Sequence, residues 1–225
     1  MCIRDRVTPM GLQGSPASFA RLIDYVFRGL KGVITYIDDV LTHSRGHPQQ
    51  LIALEQALLR LRKYNLKLNA SKSVFGATSV HYLGYNISGA GIRPGDEKMK
   101  AIQNFPVPDS PKKIREFVGL TNYFRFLLPA FSAHSARLTD LFKKDNEYKS
   151  GPLPPAAHEA FPQLQRGLSS APLVSHPRAD TDYILTTDAA TGDSNNPGGM
   201  GAVLSQIQDG QERVIAYASR GLKPN

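Results

Sequence analysis

Residues 33–44, VITYIDDVLTHS, place two adjacent aspartates between two short runs of β-branched and aromatic residues. Such runs favour strands and Asp is depleted from strands, so the pattern predicts strands at 33–37 and 40–44 joined at Asp38 and Asp39. Adjacent carboxylates also repel each other. Two interpretations stay open on these residues alone: an ordinary turn, in which Asp is favoured, or a pair of oxygen ligands for a divalent cation such as magnesium.

Apolar residues at helical spacing flank this predicted hairpin. Ser15 is predicted to cap a helix that starts at Pro16, and Ser44 a second helix that has Pro48 in its first turn and ends near Asn65. The apolar face of the first helix comprises Phe19, Leu22, Ile23, Val26, Phe27 and Leu30. The buried stripe of the second comprises Leu51, Leu54, Leu58 and Leu61.

Short strands are predicted after the second helix, at 66–69, 73–76 and 79–88. The odd spacing of Tyr82 and Tyr85 would put these two rings on opposite faces of the last strand. The order of helix, hairpin, helix and strands predicts an α+β fold, with an antiparallel sheet and helices on one face.

The composition changes after residue 93. Residues 94–150 are predicted to form basic helices separated by prolines, and residues 150–155, SGPLPP, cannot continue a helix. The apolar residues expected in the helical cores are Ile114, Phe117, Val118, Leu138, Leu141 and Phe142, followed in a later helix by Phe161, Leu164 and Leu168. Strands are predicted at 182–189, 199–208 and 212–220.

Composition narrows the possible functions. The net charge of +8 favours a polyanionic partner. One cysteine, Cys2, excludes an internal disulfide framework. No apolar run approaches the ~20 residues that cross a bilayer, so no membrane segment is expected. The histidines His43, His47 and His81 lack the spacing of zinc ligands.

Several motifs occur in an order that is typical of one family. TPMGLQGSPASF (8–19), YIDD (36–39), KLNASKSVF (67–75) and VHYLGYNIS (80–88) resemble the palm of the reverse transcriptases of Gypsy-type LTR retrotransposons and their retroviral relatives. Residues 101–132 resemble the thumb and connection of the same polyproteins. TTDAATGD (186–193), GGMGAVLSQ (198–206) and VIAYASRGLK (214–223) resemble the opening of the tethered ribonuclease H domain.

The resemblance implies a partial polymerase palm, a helical thumb and connection, and a truncated α/β ribonuclease H-like domain. The implied boundaries are 7–93 for the palm, 94–150 for the thumb and connection, 151–177 for a linker and helix, and 178–225 for the nuclease-like start. Residues 1–6, MCIRDR, show no clear period and are expected to be an artefact.

The resemblance also implies catalytic roles. Asp38 would be the main metal ligand, Asp39 the accessory one, and Asp188 the first carboxylate of the nuclease site. Two Mg²⁺ ions are expected, with Mn²⁺ as an alternative. Lys72 would protonate the leaving pyrophosphate, although a lysine here is equally a solvated surface charge. Family members often have Ser where this chain has Ala190, and a shorter loop after it.

Binding roles follow in the same way. The residues implied to lie beside the nucleotide and template are Met10, Gly11, Gln13, Gly14, Ser15, Pro16, Tyr36 and Ile37. Leu83, Gly84 and Tyr85 match the hairpin that grips the primer, although Gly84 could instead mark a bulge. Lys112, Lys113 and Arg115 are interpreted as an exposed helix face rather than phosphate ligands, and Phe117, Tyr123 and Phe124 as thumb core.

The implied function is RNA-directed DNA polymerisation with a tethered ribonuclease H. Its partners would be an RNA template, a DNA primer, the RNA–DNA hybrid, deoxynucleoside triphosphates and other Pol segments, in cytoplasmic virus-like particles or the nucleus. Both sites lack carboxylates found elsewhere in the family, so the chain is expected to be an inactive fragment. The alternatives are a non-catalytic nucleic-acid-binding remnant and a domesticated host protein.

Overall fold

The computed structural model describes residues 11–170, 173–191 and 198–222. The chain divides into two compact units, Met1–Ala77 and Thr78–Asn225. Helices and antiparallel strands alternate along both units, which confirms the predicted α+β class. Cys2 and the predicted binding residue Met10 lie outside the described residues.

In its described part, residues 11–77, the first unit contains two α-helices, one hairpin and a 3₁₀ turn. In chain order the α-helices and strands are α1 (Ser15–Phe27), β1 (Val33–Tyr36), β2 (Asp39–Thr42) and α2 (His47–Lys63). Ile23, Val26, Phe27 and Ala57 form its buried cluster, against which Val33 of the hairpin packs. Arg60 of α2 also donates a hydrogen bond of 2.8 Å to the Val26 carbonyl of α1. A small core therefore holds the hairpin against both helices.

The predicted buried stripe of α2 is wrong at two of its four positions, whereas Leu54 and Leu61 are half-buried and Leu61 packs against the core of this unit. Leu51 and Leu58 are exposed, and the helix instead buries Ala53 and Ala57. A Cβ added to Gly32, which precedes β1, would lie 4.0 Å from the Ala53 methyl group. The helix therefore approaches the hairpin on a face of small side chains, because leucine at these positions would hold the backbones apart.

Four further predictions are wrong, two of strands and two of helix caps. Residues 66–69 and 73–76 form no strands; a 3₁₀ turn, Ala70–Lys72, lies between them. Asn69 organises this turn, because its side chain accepts from Ser71 and its carbonyl accepts from the Ser73 hydroxyl. Such local bonds compete with strand pairing. Ser15 and Ser44 are not N-caps either, since Gly14 and Gly46 occupy those positions.

The described residues of the second unit form two three-stranded antiparallel sheets, four α-helices and a 3₁₀ helix, Arg125–Leu127. The strands and α-helices are β3 (Ser79–Tyr82), β4 (Tyr85–Ser88), β5 (Gly91–Pro94), α3 (Asp96–Gln103), α4 (Pro111–Asn122), α5 (Phe131–Asp140), α6 (Pro155–Ser169), β6 (Ile184–Ala190), β7 (Gly199–Gln208) and β8 (Gln211–Gly221). The sheets have the orders β3-β4-β5 and β6-β7-β8.

One continuous core runs through the helices of this unit. The predicted helical core residues that are fully buried are Ile114, Phe117, Leu138, Leu141, Phe161, Leu164 and Leu168, whereas Val118 and Phe142 pack against them half-buried. Gln165 of α6 donates to the carbonyls of Ile102 and Phe105 and so satisfies the C-terminal end of α3. Apolar packing and end-capping thus join α3 to α6.

Candidate active site

The two aspartates stand where the hairpin reverses. Tyr36 pairs with Asp39 as the last register position, which leaves Ile37 and Asp38 as a two-residue turn. Both aspartates are exposed. Asp39 is the first residue of β2 and shares its face of the hairpin with Tyr36, since register partners lie on one face. The sequence prediction of two carboxylates at a hairpin tip is confirmed.

The turn holds one residue in an unfavourable conformation. Ile37 has φ +53°, although positive φ at the first turn position favours glycine. A β-branched residue there costs on the order of 1–2 kcal/mol. Backbone strain of this kind persists where surrounding structure fixes it, and it concentrates at functional sites. The strain therefore supports a functional role for the turn.

Side chains from both helices fix the strands behind the turn. Asp24 of α1 accepts a hydrogen bond of 3.0 Å from the Thr35 hydroxyl. Gln50 of α2 donates to the carbonyl and hydroxyl oxygens of Thr42, at 3.1 and 2.8 Å. Sequence reasoning missed Asp24 and Gln50; the available signal was a polar residue on the helix side next to the hairpin. These contacts hold the strand ends and leave the acidic tip free.

The chemistry of the tip suits a hard cation. Asp38 and Asp39 offer only oxygen donors, and Mg²⁺ is commonly held by one or two carboxylates together with substrate phosphates. Within residues 11–170, 173–191 and 198–222, no group of three or more His, Cys, Asp or Glu side chains is placed to hold a metal. The hairpin thus presents two adjacent carboxylates, and no third candidate ligand lies beside them within those residues.

The predicted nucleotide-binding segment forms the turn that leads into α1. Gly11 has φ +88°, and Gln13, Gly14 and Pro16 are exposed. The Ser15 amide donates to the Leu12 carbonyl at 3.1 Å, which closes the turn ahead of the helix. The segment is accessible to a ligand and lies in the same compact unit as the aspartates.

Lys72 lies at the end of the 3₁₀ turn and is exposed. Among the described residues it forms no ion pair. Its surroundings are compatible with both interpretations, a general acid and a solvated surface charge.

The predicted primer hairpin is a separate tight hairpin, so the single strand predicted at 79–88 is wrong. Leu83 and Gly84 form a two-residue turn with φ +49° and +77°. Tyr82 and Tyr85 are register partners on either side of this turn and so share one face, contrary to prediction. Gly84 is the second turn residue rather than a bulge, and a Cβ there would lie 3.4 Å from the Tyr123 ring.

Tyr85 packs against the aromatic end of α4. Its ring stacks on Tyr123, with centroids 5.1 Å apart, and meets Phe124 edge-on. Burial, with a smaller contribution from Tyr123, raises the pKa of Tyr85 well above its ordinary value. Phe117 and Phe124 are fully buried as predicted, but Tyr123 remains 46% exposed, so its assignment to the core is wrong.

The basic start of α4 makes local contacts. Lys113 pairs with Asp109 at 2.7 Å, and the Arg115 guanidinium lies 5.2 Å from the centre of the Phe142 ring. These contacts favour the interpretation of an exposed helix face.

Asp188 lies within β6, paired with Gly201, and the strand continues beyond it to Ala190. It is exposed and lines a cavity of about 350 Å³ together with Gly201 and Ser219. Its Oδ1 accepts the Ala189 amide at 2.9 Å. The predicted end of this strand at 189 is close to the observed end, and the loop residues 192–197 lie outside the described residues.

The architecture matches solved reverse transcriptases. A foamy viral protease–reverse transcriptase in complex with dsDNA superimposes with a TM-score of 0.79, at 21% identity over 96% of this chain and 43% of that one. The same enzyme in complex with an RNA/DNA hybrid also gives 0.79, over 28% of its chain. The fold is thus that of a reverse transcriptase.

Sequence comparison gives the family. Residues 2–87 match the model of the reverse transcriptase (RNA-dependent DNA polymerase) family, and residues 153–225 match an RNase H-like domain found in reverse transcriptase. The Pol polyproteins of the Drosophila melanogaster transposons opus and gypsy are each 34% identical over 95% and 96% of this chain. The chain belongs to the reverse transcriptase and RNase H-like region of retrovirus-related Pol polyproteins of retrotransposons. It spans about a fifth of the length of these relatives, 22% and 21%.

Across the described ranges, every helix is too short or too polar to cross a membrane.

Proposed function

We propose that this chain forms the catalytic hairpin, primer hairpin and thumb of an RNA-directed DNA polymerase, followed by the start of a tethered ribonuclease H. The observation that carries the proposal is the exposed Asp38–Asp39 pair at the tip of a braced hairpin. The proposed palm covers residues 7–93, the thumb and connection 94–150, the linker and helix 151–177, and the nuclease-like start 178–225.

The proposed chemistry is nucleotidyl transfer to a primer. Asp38, aided by Asp39, would hold Mg²⁺ or Mn²⁺, which when bound would supply positive charge that stabilises a phosphoryl-transfer transition state. Ile37 and Tyr36 lie beside the primer 3′-hydroxyl and the incoming deoxynucleoside triphosphate. Lys72 donates a proton to the departing pyrophosphate. Positioning and electrostatics, rather than covalent chemistry by the protein, supply the catalysis.

The second unit holds the nucleic acid in this scheme. Leu83, Gly84 and Tyr85 contact the DNA primer. The net charge of +8, taken over the whole chain and not this unit alone, favours the phosphates of an RNA–DNA hybrid. Asp188 supplies one carboxylate to a nuclease site that cuts the RNA strand. Other Pol segments complete the assembly in cytoplasmic virus-like particles, with the nucleus as the alternative location.

Primer extension on an RNA template tests the catalytic role. Within the described residues only two carboxylates meet at the tip, so we expect no extension by the 225-residue chain alone. The longer polyprotein should extend the primer and lose at least ~10³-fold in rate with Asp38→Asn, because one ligand of the metal is lost. Asp145→Asn, at an exposed residue after α5 and outside the hairpin, is the control. Unchanged extension by the Asp38→Asn polyprotein would refute the assignment.

A non-catalytic nucleic-acid-binding remnant, or a domesticated host protein with the same activity, is the second candidate. The basic charge favours it. Its test is affinity for an RNA–DNA hybrid at 50 to 200 mM salt, where phosphate contacts predict a steep loss. Salt-dependent hybrid binding together with a polyprotein that never extends primers would select this candidate.

A further inference from the structure

Two tyrosines of the second unit hold each other's backbone in a reciprocal arrangement. The Tyr123 hydroxyl, just after α4, donates to the Leu83 carbonyl in the β3–β4 turn at 2.5 Å. The Tyr85 hydroxyl, just after that turn, donates to the Tyr123 carbonyl at 2.8 Å. The two rings stack between these bonds at an interplanar angle of 20°. We name this arrangement of Tyr85 and Tyr123 the tyrosine clamp.

We propose that Tyr123 is a positioning residue that acts through the tyrosine clamp to fix the Leu83–Gly84 turn in the shape that binds a primer strand. The proposal rests on the proposed function, in which this turn contacts the primer. Tyr123 was expected to be a core residue, and its exposed ring and donated hydrogen bond are unexplained by core packing.

The turn requires an external hold. Leu83 has φ +49°, a conformation that L-residues other than Asn, Asp and Gly seldom adopt. The β7–β8 turn has nearly the same geometry, φ +54° and +75°, with the favoured pair Asp209–Gly210. Because the β3–β4 turn has leucine where the β7–β8 turn has Asp, its sequence favours this turn conformation less. The clamp supplies the missing restraint.

The clamp also settles which backbone groups of the turn stay available. The Leu83 carbonyl is taken by Tyr123, and the Gly84 carbonyl accepts the Gly95 amide at 2.8 Å. Within the described part of the chain, the amides of Leu83 and Gly84 have no acceptor. A turn with occupied carbonyls and open N–H groups suits the phosphodiester oxygens of a nucleic-acid strand.

The far side of the clamp is anchored in the core. Tyr85 also contacts Phe124, which is fully buried, and Phe126 at 5.5 Å between ring centres. Movement of the turn would therefore need α4 and its aromatic end to move as well. The geometry couples the primer hairpin to the thumb helix rather than to its own sheet alone.

The test removes one hydroxyl at a time. Tyr123→Phe and Tyr85→Phe keep the rings and delete the two hydrogen bonds. Tyr148→Phe is the matched control, because the Tyr148 hydroxyl likewise donates to a backbone carbonyl, that of Gly151, away from the turn. Each chain is measured for thermal stability, for amide hydrogen exchange at Gly95, whose amide donates to the Gly84 carbonyl of the turn, and for affinity toward an RNA–DNA hybrid with a recessed primer end.

We expect Tyr123→Phe to speed exchange at Gly95 and to weaken hybrid binding about two- to tenfold, the range for one neutral hydrogen bond. The Tyr148→Phe chain should match the parent in exchange and affinity. The double variant Tyr85→Phe/Tyr123→Phe should lose no more than about the larger single effect, since the clamp acts as a unit.

The outcomes separate the clamp from the proposed function. Faster exchange with unchanged hybrid affinity would show a merely structural contact and overturn the positioning role. Unchanged exchange would show that no clamp exists. Absence of hybrid binding by the parent chain would instead refute the proposed function, and this proposal with it.

Discussion

The hairpin of the two aspartates and the hairpin of Leu83 and Gly84 share a strained turn but are supported differently. Ile37 and Leu83 occupy equivalent first turn positions, with φ +53° and +49°. Asp24 accepts and Gln50 donates the hydrogen bonds that fix the strands of the first hairpin. In the second hairpin, the hydrogen bonds are made to the carbonyl groups of the turn itself. The first arrangement leaves the turn residues Ile37 and Asp38 exposed, and the second fixes the backbone of the turn itself.

The two units also differ in the size of their hydrophobic cores, and the unit with the acidic hairpin has the smaller core. The first unit buries a cluster of four residues, Ile23, Val26, Phe27 and Ala57, and exposes leucines on α2. The second unit buries a continuous apolar core from α3 to α6. Stability increases with the apolar area that a fold buries, so we expect the unit that contains the acidic hairpin to be the less stable of the two. Regions that bind and move are commonly drawn from the less stable part of a fold.

Truncation of apolar residues in the two units should give the largest contrast. Phe117→Ala removes a fully buried ring and should cost the second unit about 3–5 kcal/mol in free energy of unfolding. Leu58→Ala, at a residue of α2 that is 41% exposed, should change the first unit by no more than about 0.5 kcal/mol. Urea unfolding monitored by hydrogen exchange in each unit measures both. A Leu58→Ala cost near that of Phe117→Ala would contradict the comparison.

A glycine substitution isolates the ring contact of the second hairpin. Gly84→Ala places a methyl group 3.4 Å from Tyr123 at φ +77°, and Gly210→Ala introduces the same strain at φ +75° with nothing within 4 Å. We expect costs of about 2 and about 1 kcal/mol in free energy of unfolding, the difference arising from the tight contact. Equal costs by chemical denaturation would mean that Tyr123 yields freely and does not hold the turn.

The sequence predicted the second unit better than the first for a physical reason. Phe117, Leu138 and Leu164 fall on faces wide enough to define a core by period alone. Ala53 and Ala57 are small enough to sit in any position, so the close approach of α2 to the hairpin left no apolar signal.

Turn chemistry explains the remaining errors. The Leu83–Gly84 turn carries only one favoured residue, so the hairpin was predicted as one strand, and the pairing of Tyr82 with Tyr85 was missed with it. The clamp joins residues 38 and 40 positions apart in the chain, which no local pattern can reveal. The aspartate pair was correctly placed at a turn because Asp is rare in strands, so two of them between strand-forming runs indicate a break in the strand.

Two glycine substitutions in the first hairpin should differ in their cost to stability. Ile37→Gly relieves the strain of φ +53° and gives the unfolded chain more freedom, so the two terms nearly cancel within about 1 kcal/mol. Ile34→Gly, in β1, only loses strand preference and should cost about 1–2 kcal/mol. Hydrogen exchange across the β1–β2 pairs measures both. An Ile37→Gly cost as large as that of Ile34→Gly would show that the turn is not strained.

The smallest expected effect is a pH dependence confined to the second unit. Hydrogen bonds from Arg178, at 2.9 and 2.6 Å, hold the pKa of Asp209 below its ordinary value of 3.8. A carboxyl group whose pKa is lowered by folding stabilises the fold above its unfolded pKa, and this stabilisation is lost as pH falls through the folded value. The second unit should therefore weaken below about pH 4, and only slightly, because the pair is exposed and screened.

Asp209→Asn isolates this ion pair, because Asn-Gly suits the β7–β8 turn as well as Asp-Gly. The variant should unfold in urea with a shallower loss of stability between pH 5 and 3 than the parent, and 1 M salt should reduce the difference. The β1–β2 hairpin should show no change between the two chains, since Asp209 lies in the other compact unit. Identical pH profiles for the variant and the parent would mean that the pair contributes no stability, and that apolar packing alone distinguishes the two units.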